Sequence, residues 1–304
     1  MPPVVVREMA VALKLCPRAA ALKTSRRVPP AGHHRHRSIR VPLRSFALLL
    51  LLLFAVTAQA ASTCDRPLLE PAKGAGIHAP WDGLVRSFVH DGVVDYGCMQ
   101  AHEAQLDRYL ALLASIRPER LSRDAQLALW INGYNAFTVK LILRRYPNLR
   151  SIKEIPRRWK LRDWTVGGKR YSLDEIENEI LRARFHEPRI HFAINCASKS
   201  CPDLASAAYL AGRLDAQLDA ATRRFLGDPA KGARVVHKRG LFGDGDKLYL
   251  SAIFKWFRPD FERGHTLMAF IDPYLPPETR NRVHAAGDGL RITYFTYDWS
   301  LNEE

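Results

Sequence analysis

The densest run of reactive side chains is His191-Phe192-Ala193-Ile194-Asn195-Cys196-Ala197-Ser198-Lys199-Ser200-Cys201-Pro202. Its alternation reads as a short strand over Ile190–Asn195 that runs into a loop of small and polar residues, where binding and catalytic groups concentrate. Cys196 can serve as a nucleophile, because the thiolate attacks and Lys199 nearby favours it. It can equally be a small apolar residue closing the strand, or half of a disulfide. Cys201 precedes Pro202, a favoured first helical residue, so its sulfur can cap a helix start whose dipole lowers its pKa. His191 is either a base or orienter, or a hydrogen-bonded structural histidine. Five residues separate it from Cys196, so on a continuous strand the two point to opposite faces. Direct pairing therefore requires a bend near Asn195.

A second cluster is Trp130-Ile131-Asn132-Gly133-Tyr134-Asn135-Ala136. Asn132 and Asn135 are three apart in an otherwise apolar helix, so both can address one neighbouring surface. Buried amides are costly without partners. Either they orient a histidine or bind a substrate amide, or they fix the helix to a loop. Gly133 would let another backbone approach closely, at a propensity cost near 1 kcal/mol. Asp95-Tyr96 follows Gly92-Val93-Val94 in a strand-like turn, and Tyr297-Asp298-Trp299-Ser300-Leu301-Asn302 lies at the other end. Their aromatics are expected to pack core edges, and Asp298 and Asn302 to satisfy turns. Asp95, Trp130, Tyr134, Asn195 and Lys199 are the candidate binding residues.

The elements that must hold these groups are legible as patterns. Met99–Ile116 places Leu106, Tyr109, Leu110 and Leu113 at helical spacing, and Pro118 stops it. Ser122 caps a helix that ends before Pro147 and is apolar nearly all round, which predicts a buried central helix. Ser172-Leu173-Asp174-Glu175 is a capping box, with Tyr171 and Ile176 as its staple, opening a helix to about Arg184. Ala211–Leu226 is amphipathic, Ser251 caps a short helix carrying Trp256, and Leu267–Tyr274 continues the helical part. Arg234–His237 and Lys247–Leu250 flank a Gly/Asp-rich hairpin turn over Lys238–Asp246. Leu290–Tyr297 is a last strand. The sum is an α+β domain, helix-rich towards its N-terminal part, with a short mixed or antiparallel sheet in its C-terminal half.

The 304 residues carry a formal charge of +15. Ten Lys/Arg and one acid fall within residues 1–45, so nine of those units sit in that stretch. The remaining +6 suits solubility and argues against a nucleic-acid partner. The run Ser45-Phe46 to Gln59-Ala60 has the basic flank, apolar core and Ala58-Gln59-Ala60 ending of a secretory signal, with cleavage expected after Ala60. As a helix Phe46–Val56 spans about 16 Å, too short for a ~30 Å hydrocarbon core, so no membrane span is expected after cleavage. Residues 1–40 read as a disordered or wrongly assigned extension, with a signal at 41–60 starting at Val41. A peptide from upstream of Arg40 in unprocessed precursor would end that idea. A short mature segment, 61–79, then leads into the domain. The mature chain has four cysteines, Cys64, Cys98, Cys196 and Cys201, in an oxidising space. Three pairings are possible; Cys196–Cys201 with Cys64–Cys98 is favoured because the first closes a small loop. The Cys196/Cys201 spacing is not a zinc knuckle, and no ligand set for a metal or cofactor emerges.

Taken together, Val94-Asp95-Tyr96, Leu127–Ala136, Leu173-Asp174-Glu175-Ile176-Glu177, Pro188–Pro202, Ile253–Phe257 with Asp260-Phe261, and Tyr297–Asn302 resemble the family known as domain of unknown function 547, over roughly 80–302. The resemblance implies a bacterial envelope member of a family that also has plant proteins with an added coiled coil. It brings no established reaction. It favours Cys196 over Cys201 for a shared role, and Asn178 stands where the family pattern has histidine. Three readings follow. One is an envelope binding module for a partner, peptide or small molecule, its cleft lined by Trp130, Tyr134 and the 195–202 loop. Another is a cysteine-dependent acyl- or amide-transfer enzyme, with Cys196 as nucleophile, His191 as base and Asn132 or Asn135 as orienter. The last is a thiol–disulfide role for Cys196 and Cys201.

Overall fold

A computed structural model describes residues 64–238 and 245–303. The signal segment, the upstream extension and most of the 238–246 turn lie outside the described residues. Helix α1 (Ala79–Phe88) leads into the hairpin of β1 (Val89–His90) and β2 (Val93–Val94). Gly92 at its turn has φ 83°, and a Cβ there would lie 2.2 Å from Asp203 Oδ1, so only glycine fits. The single helix expected over Met99–Ile116 is two: α2 (Tyr96–Ala101) and α3 (Glu103–Ser115), broken at His102. Asp95 caps the start of α2, its Oδ1 accepting from Cys98 N at 2.8 Å.

Helix α4 (Arg123–Leu143) starts at the expected cap, Ser122 Oγ accepting from Ala125 N, and is buried from Leu127 to Val139. Around it the core gathers α1, α3, and the Trp164 and Val166 side chains of β3 (Trp164–Val166), which pairs with β4 (Lys169–Tyr171). Gly133 faces Leu113 Cδ1, 3.6 Å from where a Cβ would sit, and meets no foreign backbone. The close approach expected there is not made. Helix α5 covers 173–185; its capping box at Ser172 and Glu175 is formed, and its middle, Ile176–Arg182, widens into π-helical turns.

The predicted strand at Ile190–Asn195 is instead a 3₁₀ turn, Pro188–Phe192, followed by irregular chain. Pro188 supplies the helical φ at its start, and Glu187 accepts from Arg189 N at 3.0 Å. No helix begins at Pro202 either, so Cys201 caps nothing. Helix α6 (Leu214–Gly227) precedes an open three-stranded sheet of β5 (Ala233–Lys238), β6 (Gly245–Leu250) and β7 (Arg291–Tyr294). The β5–β6 pairing is antiparallel and β6–β7 parallel, so the sheet is mixed. Short helices α7 (Ala252–Trp256), α8 (Arg258–Phe261), α9 (Leu267–Ile271) and α10 (Pro277–Ala286) fill the crossover. A second aromatic cluster, Phe192 with Phe225, Phe254 and Phe261, ties them to the 3₁₀ turn. The fold class is α+β. Among the described residues no helix is long and apolar enough to cross a membrane.

Candidate functional site

Asn132 and Asn135 belong to the scaffold. Asn132 donates to Tyr209 O at 2.8 Å and accepts from Tyr209 N at 2.9 Å. Asn135 donates to Ala193 O at 2.9 Å and accepts from Asn195 N at 2.8 Å. Each amide thus imitates a backbone unit and pins an irregular segment to α4. Neither is left to orient a histidine or bind a substrate. Trp130 is likewise interior, its ring edge-on to Tyr171 at 5.2 Å, so it lines no cleft.

From the Asn135 anchor the loop is built by its own polar groups. Asn195 donates to Pro202 O at 2.7 Å and accepts from Ala197 N at 2.7 Å, closing the chain on itself. That turn holds Ala197 at φ 57°, a left-handed conformation costing a non-glycine residue roughly 1 kcal/mol. The strained residue follows Cys196 directly. The tail completes the frame: Ser198 pairs with Leu301, and Lys199 N and Ser200 N donate to Ser300 O and Asp298 O. As expected, Asp298 satisfies a local turn, accepting from Ser300 N at 2.9 Å; Asn302 instead bonds across the chain, accepting from Tyr96 OH at 2.8 Å and donating to Gly92 O at 3.3 Å.

This frame sets two thiols in contact. Cys196 Sγ, half-buried, is 2.9 Å from the buried Cys201 Sγ, 3.2 Å from Ser198 Oγ and 3.3 Å from Tyr297 OH. The expected bridge between them is not formed; both are free thiols. The other expected bridge, Cys64–Cys98, is present. Donation from Cys201, then Ser198 and Tyr297, draws the Cys196 thiol below its ordinary pKa despite burial. Burial and the neighbouring Cys196 push Cys201 well above its own. The donors at Cys196 are these three and not Lys199, which is exposed.

The expected His191–Cys196 pair is not made. His191 is buried, stacks on Phe257 at 4.1 Å, and its Nε2 donates to Asp260 Oδ2 at 2.8 Å. Burial lowers its pKa, so it is neutral at pH 7. Burial alone would raise Asp260, but hydrogen bonds from His191 and Arg182 hold it well below the usual carboxylate range. Asn178 joins this network by accepting from Arg182 Nη1. Asp95 is also engaged, with Arg66 as well as the α2 cap.

A titratable group that sequence reading left without a role is Glu177. It accepts from Tyr134 OH at 3.0 Å, and burial pushes its carboxyl up to about 7. It repels a thiolate at Cys196, so the two groups share one electrostatic environment. Its spacing from Leu173, Ile180 and Leu181 puts it on the apolar face of α5, and that misplaced charge was a signal open to sequence reading. Tyr297 was expected only to pack; nothing in its local sequence marks its hydroxyl as a thiol partner. Among the described residues no cluster of side chains is arranged to hold a metal ion.

No curated protein matches the chain, and no solved structure does. Residues 118–226 match the model of a family described as a protein of unknown function, DUF547. The matched stretch includes Asn132, Asn135, Glu177, His191, Cys196 and Cys201, and excludes Tyr297 and Asp260. Over this stretch the chain is similar to that family.

Proposed function

We propose that this is an exported envelope protein whose Cys196 and Cys201 exchange a dithiol for a disulfide with a thiol or disulfide partner. The observation that carries the reading is the 2.9 Å contact between two free thiols of opposite pKa displacement. The more accessible, lower-pKa sulfur is suited to attack, and the buried one to resolve. Cys196 thiolate attacks one sulfur of a partner disulfide, the partner's S–S bond breaks, and one partner thiolate leaves. Cys201 then gives up its proton and attacks Cys196 Sγ, expelling the second partner thiolate. The protein loses two electrons, the partner gains them, and the two thiol protons end on the two departing sulfurs. Glu177, titrating near neutrality, supports the reading as a group able to relay those protons.

Export rests on the signal-like run before Ala60 and on the Cys64–Cys98 bridge, a bond that persists in oxidising compartments. The acyl-transfer reading loses its base, since His191 is committed to Asp260. The test is a trap. In Cys201→Ser, Cys196 is expected to accumulate a mixed disulfide with added oxidised glutathione, seen by mass, while wild type resolves it. Absence of any adduct on Cys196 would refute the reading.

A further inference from the structure

Rings and cations meet beside Cys196. Tyr297, whose hydroxyl contacts the sulfur, packs on Trp299 at 4.6 Å and on Trp256 at 4.8 Å, and all three rings are half-buried. Lys153 Nζ lies 5.5 Å from the Trp299 ring centre, and Ser151 Oγ donates to Trp299 O at 2.6 Å. These contacts fasten segment 150–162 to the tail that carries Tyr297. The segment holds Arg150, Lys153, Arg157, Arg158, Lys160 and Arg162 against a single acid, Glu154. Among the described residues, the side chains of Arg150, Lys153, Arg157 and Lys160 have no carboxylate within ion-pair distance.

Arg158 is the innermost of these cations. Its Nη1 donates to Lys153 O at 3.0 Å, yet its Nε is buried without an acceptor, as is Trp159 Nε1. Buried donors without partners are rare, and here two adjacent residues supply them. The Arg158 charge also interacts with a thiolate at Cys196.

We propose that the partner exchanged at Cys196 is a carboxylate-bearing thiol or disulfide, drawn in along the 150–162 cations. This rests on the exchange reading above. The cations raise the local concentration of anions, and the low-dielectric ring wall strengthens that preference near the sulfur. A cationic disulfide is disfavoured by the same field.

Iodoacetate and iodoacetamide differ chiefly in charge, and both alkylate by thiolate attack on the CH₂ carbon with loss of iodide. Rates at Cys196 are measured by peptide mass on the full chain, each divided by the rate for the unfolded chain. At low salt the folded protein is expected to favour iodoacetate by about tenfold, and ~1 M salt to remove the preference. The triple substitution Lys153→Gln, Arg157→Gln, Lys160→Gln touches exposed side chains and should bring the ratio several-fold towards one. A ratio at or below one at low salt, or one that the triple variant leaves unchanged, overturns the proposal. Anion preference without any mixed disulfide in the Cys201→Ser trap overturns it too, and locates the failure in the exchange reading.

Discussion

At the scale of single residues, the site turns on how three hydrogen-bond donors and one carboxyl bias a sulfur. Removing the Tyr297 hydroxyl takes away one donor to the thiolate, and such a bond is worth about 1 kcal/mol, or most of a pKa unit. Tyr297→Phe is therefore expected to raise the Cys196 pKa and slow its alkylation at pH 7 by about threefold to fivefold. The pH dependence of iodoacetamide labelling reads this directly; an unmoved profile would show that the hydroxyl does not act on the thiol. Glu177 has the opposite character, its folded pKa of about 7 lying above the ordinary 4.5. Stability contributed by its retained proton is full below pH 4.5 and is lost as pH rises towards 7. The loss is on the order of 3 kcal/mol. Glu177→Gln keeps an acceptor for Tyr134 and removes the charge, so it should be more stable than wild type at pH 8. Near pH 4.5 the two should melt alike. Equal melting temperatures at both pH values would contradict a half-buried, proton-holding carboxyl.

At the scale of elements, α4 is the part that positions everything else, and it was also the most legible. Its Ser122 cap, its apolar perimeter and its two asparagines could be read as a buried helix with a polar task. The task itself was not readable, because whether an amide meets substrate or backbone depends on a segment far away in sequence. Asn135→Ala leaves Ala193 O and Asn195 N–H without partners and should cost about 3 kcal/mol. It should also release the Cys196 loop, seen as faster amide exchange over 193–201. A loss below ~1 kcal/mol would contradict its anchoring role. Gly133→Ala, by contrast, fills ordinary space against Leu113 and should gain up to about 1 kcal/mol. Denaturant melts measure both. The misreading at 190–195 has a local cause: six residues of mixed polarity fit a strand or a tight turn equally well. Pro188 and the Glu187 cap decided for the turn. That turn sends His191 to Asp260 instead of Cys196.

At the scale of the whole molecule, the α+β class and a short sheet in the C-terminal half followed from the order of helical and alternating patterns, while its mixed rather than antiparallel pairing came only with the structure. The Cys64–Cys98 pairing belonged to the favoured one of three possible sets, and the folded chain makes that bridge. Closing a loop over 34 residues of separation, it should stabilise the domain by about 4 kcal/mol in the chain-entropy view. The tail returning from β7 was not legible as part of the site, since Ser198–Leu301 pairing and the Tyr297 contact both arise from tertiary packing. Yet it is this closure, with Asn135 at one side and the tail at the other, that brings two thiols together while Cys64–Cys98 stays apart as a fixed bridge. The most direct measurement equilibrates the full chain in glutathione buffers over about −150 to −300 mV and maps its cysteines without reduction. Thiol–disulfide exchange predicts that a Cys196–Cys201 peptide pair appears and disappears reversibly across that range, while Cys64–Cys98 persists. Cys196 and Cys201 remaining thiols at every poise, or remaining bridged at every poise, would contradict it.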